Sequence, residues 1–221
     1  MSFPHPENRF APDALSAWDG RGAVLLHERN DDRYAMFLER AHPTTPAQAE
    51  QGDEVAAIAG SVSRRLAVPA PAGLLRLQDR AAARKEQLCR EARDFPGALP
   101  SRTMQAATAT VRELAHHQPD TLIRGDLSAR NILAGPREPW LAVDPKGWVG
   151  DRAYGCGTLT KSRSVVLAAQ GDLARGIDRT LDAFTSAAEL DRERARRWAQ
   201  LSAVQAAMEP NVLDSSRSLT S

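Results

Sequence analysis

Along this chain the apolar positions change period several times, and each change marks an expected element. Two short apolar runs, Ala23–Leu26 and Tyr34–Leu38, follow the turn-forming groups Asp19-Gly20-Arg21-Gly22 and Asn30-Asp31-Asp32 and predict a β-hairpin. Residues 1–13 are polar and carry Pro4, Pro6 and Pro12, the pattern of a loose leading segment. After the hairpin, Pro43 and Pro46 forbid immediate helix, because proline pushes the residue before it out of the α region. From Ala47 to Leu66 the spacing of Val55, Ile58, Ala59, Val62 and Leu66 predicts one helix. The segment Val68–Gly73 breaks it, and a second helix is expected over Leu74–Arg93. A third is expected from an N-cap at Ser101 to about His117, with Met104, Thr108, Val111, Leu114 and Ala115 facing inward.

The middle of the chain reads differently. Thr121–Ile123, Asn131–Leu133 and Trp140–Val143 are short strand-like pieces separated by turns. After Gly147, Gly150, Gly155 and Gly157 the helical period resumes. Leu173, Ile177, Leu181 and Phe184 share one expected inner face, and Trp198, Leu201, Val204 and Met208 share the next. From about Asn211 the chain is Ser-rich and reads as a frayed tail.

Composition narrows the function classes. With 42% hydrophobic and 26% charged residues the chain is an ordinary globular one. Lys+Arg 29 against Asp+Glu 28 gives no reason to expect nucleic acid or an anionic membrane as partner. Cys89 and Cys156 are too few for a disulfide framework or a closed zinc site and are expected as free thiols in a reducing cytosol. No apolar run has signal-peptide or membrane-span character, so a cytoplasmic protein is expected; nothing in the sequence sets an oligomeric state. Trp140 and Trp198 are expected in the core. The neighbours His116 and His117 point to different helix faces and do not make a metal pair, and Arg192–Arg197 reads as a solvated helix face.

One constellation carries chemistry. In Asp126-Leu127-Ser128-Ala129-Arg130-Asn131 an aspartate precedes an asparagine by five positions, and Asp144 closes the apolar run Trp140–Val143. Phosphoryl transfer needs this set: one carboxylate to orient an acceptor hydroxyl and take its proton, and an amide oxygen and a second carboxylate to hold Mg²⁺. The accidental Arg124-Gly125-Asp126 triplet lies between apolar residues and is not read as an adhesion motif.

The flanking residues sharpen the picture. Leu122-Ile123-Arg124-Gly125-Asp126-Leu127 together with Trp140-Leu141-Ala142-Val143-Asp144-Pro145-Lys146-Gly147-Trp148-Val149-Gly150-Asp151 resembles the aminoglycoside phosphotransferase superfamily, in its streptomycin 6-kinase and hydroxyurea-kinase branch. Trp18–Val24, Phe37–Arg40 and Leu190–Ala195 are similar to segments of that branch in the same order, so the resemblance spans about residues 14–208. It implies an α+β, protein-kinase-like two-lobe fold with a reduced β N-lobe (residues 1–42), a mainly helical C-lobe (43–210) and a disordered tail (211–221). It implies ATP and Mg as cofactors and an aminoglycoside-like hydroxyl compound as acceptor. Asp126 would be the catalytic base, Asn131 and Asp144 the metal ligands, and the segment Glu39–Ala41 a hinge whose backbone groups hydrogen-bond adenine. Acidic C-lobe side chains such as Asp151 would face the acceptor.

The sequence also departs from the family pattern. Arg124 stands where the family motif has His, adding a fixed positive charge two residues from the base that would lower its carboxyl pKa. No Gly-rich phosphate loop is visible, and Gly20-Arg21-Gly22 is read as a turn. The lysines are Lys85, Lys146 and Lys161, none of them in the expected N-lobe. The chain is therefore expected to be N-terminally shortened, by truncation or by a start codon lying further upstream. A working kinase and a binding protein on a kinase scaffold are both expected outcomes. Tyr154–Lys161 departs too, on the expected substrate side.

Overall fold

Ala11, Ala14, Leu15 and Trp18 recur at helical spacing, and in the computed structural model, described for residues 9–208, they are the buried face of a helix, α1 (Ala11–Trp18). The leading segment is therefore not loose from Ala11 onward. Pro12 sits in the first turn, where a missing N–H costs nothing. The buried indole of Trp18 donates to Leu66 O at 2.8 Å and anchors α1 to the body of the chain. The expected tail after Asn211 lies outside the described residues.

The hairpin forms as β1 (Leu26–Asn30) and β2 (Ala35–Leu38), paired antiparallel. Its first strand begins later than the apolar run suggests. Residues 22–24 instead run beside a later strand, with Val24 N to Ala142 O at 3.1 Å and Ala142 N to Gly22 O at 2.8 Å. The expected Ala47–Leu66 helix is two: α2 (Pro46–Ala49) and α3 (Glu54–Arg65), parted at Glu50–Asp53 by a connector containing Gly52 in the left-handed region. The apolar spacing starts only at Val55, so it carried no information about the earlier turn.

Val68–Pro69 (β3) and Leu75–Arg76 (β4) are short strands, and α4 covers only Ala81–Asp94. The expected helix start at Leu74 gives way because Leu75 and Arg76 pair with Trp148 and Val149. α5 spans Ser101–Leu114, with Ser101 already helical and Pro100 in the capping position. Then come β5 (Thr121–Ile123), β6 (Ile132–Ala134), β7 (Trp140–Ala142) and β8 (Trp148–Val149). β3, β5, β8 and β4 form one four-stranded sheet in that order, and β6 and β7 a separate hairpin.

α6 begins at Gly155 and runs to Ala169, so the glycines at 155 and 157 start a helix rather than precede one. α7 (Leu173–Ala188) and α8 (Arg192–Ala207) complete the helical lobe. Leu181 and Phe184 are buried as expected, whereas Leu173 is 44% exposed at the helix start. Trp198, Leu201, Val204 and Met208 are all buried. Gly60 lets α3 lie directly on α7, since a Cβ there would come within 2.4 Å of Phe184 O. Cys89 and Cys156 are free thiols; burial pushes Cys156 up to about 12. Among the described residues no helix is long and apolar enough to cross a membrane.

The hairpin of the small lobe is tied down by one arginine. Arg137, between β6 and β7, donates to both Glu39 oxygens (2.8 and 2.7 Å), to Gly20 O at 3.0 Å and to Ala23 O at 3.1 Å. Glu39 also accepts from Leu25 N at 3.0 Å, and these bonds hold its carboxyl below the usual glutamate range, Arg137 being the main cause. Arg137→Ala is expected to lower stability in urea denaturation at neutral pH by about 1–2 kcal/mol. A depressed carboxyl stabilises the fold above its unfolded pKa and stops doing so as pH falls through its folded one. The gap between variant and parent should therefore narrow below the ordinary glutamate value of 4.5. Iodoacetamide at pH 8, read by mass spectrometry, is expected to label Cys89 and spare Cys156.

Candidate active site

Two antiparallel pairings bracket the residues that carry chemistry. Ile123, the last residue of β5, is the register partner of Trp148, the first of β8. Ile132, the first of β6, is the partner of Ala142, the last of β7. The loop that leaves β5 (124–131) and the loop that enters β8 (143–147) are thus held together at both ends. Val143 N extends the ladder by donating to Asn131 O at 2.9 Å, and Lys146 N donates to Arg124 O at 2.8 Å. Asp126, Asn131 and Asp144 all fall on these two loops.

Asn131 Nδ2 donates to Asp126 Oδ2 at 3.2 Å and to its carbonyl at 3.4 Å. Because the amide nitrogen is used there, the amide oxygen is the atom left to face outward. Asp144 is exposed and adopts the left-handed conformation, φ 47°, which a non-glycine residue adopts at some cost. An amide oxygen and a carboxylate fit a hard cation that keeps waters and takes further oxygens from a substrate. Among the described residues no three His, Cys, Asp or Glu side chains come together, so the site offers no all-protein cage.

The loop from Asp126 to Asn131 is braced from below. Leu127 N donates to Thr158 Oγ1 at 2.9 Å, and Thr158 in turn donates to Gly155 O at 3.1 Å. Gly125, at φ 89°, leaves no room for a side chain, since a Cβ would sit 2.9 Å from Lys146 Cβ. Asp126 opens on a cleft of ≈ 980 Å³ walled by the Glu50–Asp53 connector, by α6 from Thr158 to Leu167 and by Gln170 just past its end. Across that cleft Arg163 donates to Gly52 O at 2.6 Å and holds the connector in place. Within the departing stretch Tyr154–Lys161, Thr158 and Lys161 line the cleft, and Thr158 also supports the loop.

Other expectations are redistributed. Glu39 uses its N–H on Leu25 O (2.9 Å) and its carboxylate on Arg137, so the carbonyl is what it can turn outward. The hinge end lies along β6, with His42 N to Ala134 O at 2.8 Å and Ala134 N to Thr44 O at 2.9 Å. Ala41 is half-buried just before it. Asp151, expected to face the acceptor, does not line this cleft. It is 5% exposed, accepts from Trp198 Nε1 at 2.7 Å, Arg194 Nε at 2.5 Å and Ala153 N at 3.0 Å, and caps the turn into α6. Arg194 is thereby drawn out of the solvated face expected for 192–197, while Arg196 pairs with Glu193 as that face predicts. Sequence reading missed Arg137 and Arg163, because nothing in spacing separates them from the chain's many other arginines.

The family model for aminoglycoside/hydroxyurea antibiotic resistance kinases matches residues 4–211. The chain belongs to this family. Two streptomycin 6-kinases, from Streptomyces glaucescens and Streptomyces griseus, are 32% and 33% identical to it over 200 residues, 90% of this chain and 65% of each relative. The hydroxyurea phosphotransferase of Kitasatospora aureofaciens is 34% identical over 202 residues, 90% of this chain and 57% of that protein. The chain thus spans less than two thirds of the length of these kinases. Its fold is that of the aminoglycoside phosphotransferase APH(3'')-Id of Streptomyces rimosus, solved with ADP and streptomycin, at a TM-score of 0.52 and 17% identity over 90% of this chain and 80% of that one. The two-lobe, kinase-like architecture expected from the motifs is the one observed.

Asp151→Asn should cost about 2–3 kcal/mol in urea unfolding, because it leaves Arg194 without a charged partner beside a buried indole. If Asp151 served an acceptor instead, the variant would unfold like the parent and differ only in binding.

Proposed function

We propose that this chain transfers the γ-phosphoryl group of ATP to a hydroxyl of an aminoglycoside-like small molecule in the cytoplasm. The observation that carries this reading is the Asp126–Asn131 hydrogen bond at the edge of a cleft large enough for a drug-sized acceptor. In it, Asp126 accepts the hydroxyl proton while orienting the oxygen for in-line attack. Asn131 Oδ1 and the Asp144 carboxylate would hold Mg²⁺, which supplies charge neutralisation on the nucleotide phosphates. The carbonyl of Glu39 and the N–H of Ala41 would pair with adenine. From that hinge to Asn131 is about the length of β6, roughly 10 Å at the rise of a strand. A nucleotide can span this. Streptomycin is the first acceptor to test, on the names of the relatives.

A second reading is a small-molecule-binding protein on the same scaffold. It is favoured by the size of the cleft beside Asp126, which small-molecule binding alone would use.

Purified protein with Mg·ATP is expected to add one phosphoryl group to streptomycin, read by mass spectrometry. Asp126→Asn should lower kcat by about 10²–10⁴-fold and leave nucleotide binding intact. Asn131→Ala and Asp144→Ala should weaken Mg·ATP binding in calorimetry. Acceptor binding with no Mg·ATP binding in any variant or in the parent would establish the second reading.

A further inference from the structure

Arg124 is the most deeply buried charge in the chain's chemical centre. It is 3% exposed and, among the described residues, forms no ion pair. Its side chain instead grips backbone. Nε donates to Val143 O at 3.0 Å, and Nη2 donates both to Val143 O and to Asp144 O, the latter at 2.7 Å. Nη1 is buried without a partner. Burial lowers its pKa to about 10, and the charges of Asp126 and Asp144 oppose that, so it stays cationic at neutral pH.

Such an arrangement costs more than packing alone requires. A cation stripped of water and left one donor short is poorly placed for stability; an apolar side chain of similar volume would fill the space without that loss. What the guanidinium alone supplies is a planar fork. Several donors in fixed geometry reach two successive carbonyls at once. Along an extended strand those carbonyls point to opposite sides; here the left-handed turn at Asp144 brings both to Arg124. The fork and the turn hold each other. A neutral histidine, the residue of the family motif at this position, has one ring N–H and can hold one carbonyl.

We propose that Arg124 is a positioning clamp that fixes the Val143–Asp144 backbone, and through it the direction of the Asp144 carboxylate relative to the Asp126–Asn131 loop. The same residue is tied back at its own carbonyl by Lys146 N, so the clamp closes over residues 143–146. The proposal rests on the metal-ligand reading of Asp144 for its effect on magnesium, but not for its effect on the backbone.

Arg124→Lys keeps the charge and removes the fork. Hydrogen exchange of the amides of Val143 and Lys146, measured without nucleotide or metal, should speed up by at least tenfold in Arg124→Lys while amides of α7 and α8 stay as in the parent. In the same variant the Mg²⁺ concentration for half-maximal turnover should rise about tenfold, with the acceptor KM changing less than threefold. Arg124→His should recover part of both effects. Unchanged exchange at 143–146 in a folded Arg124→Lys protein overturns the clamp, whatever the activity. Faster exchange in a protein whose parent neither binds Mg²⁺ nor transfers phosphate keeps the clamp and removes the kinase reading. Loss of folding in Arg124→Lys, seen as uniform exchange, is resolved by Arg124→His: exchange at 143–146 fully as slow as in the parent, with normal folding, would also overturn it.

Discussion

The site depends on two loops being pinned at both ends by antiparallel pairing. Ile123 opposite Trp148 and Ile132 opposite Ala142 leave residues 124–131 and 143–147 no independent path. Backbone hydrogen bonds buried in a sheet are expensive to leave unmade, so the pairing is held by the cost of its alternatives. Once it exists, Asn131 must lie opposite Val143, and the residue after Val143 is Asp144. The distance between two polar groups far apart in sequence is thereby set by a ladder of apolar strands.

Around this frame the chain relies on arginine. Arg137 binds the small lobe's hairpin to the β6–β7 turn, Arg163 bridges the cleft to Gly52, and Arg124 grips the loop that carries Asp144. In each case the acceptors include backbone carbonyls, which a planar multi-donor group reaches and a point charge does not. Arg29, Arg192 and Arg196 pair with carboxylates on the surface, where such bonds contribute little. The division between the two groups follows which acceptors each guanidinium reaches and not sequence neighbourhood.

Asp151 shows how the same side-chain chemistry changes meaning with surroundings. In sequence it ends a motif rich in functional residues. In the fold it is enclosed by Trp198, Arg194 and the turn into α6, with both oxygens engaged. A carboxylate so committed holds α8 against the loop that follows β8.

By itself the sequence determined the family, the order of strands and helices through the middle of the chain, and the candidacy of Asp126, Asn131 and Asp144. These are local matters: short apolar strands between turns, and polar residues at fixed spacing within two motif blocks. The periodic helices α3, α7 and α8 were legible for the same reason, each burying one face. Tertiary structure decided the rest. β3, β4 and β8 are two residues long and exist only because β5 and one another supply their partners, so no local period announces them. The break between α2 and α3 serves the wall of the cleft. Which arginines matter was settled by what lies within reach of a guanidinium once the chain has closed on itself, a property no single stretch of residues carries.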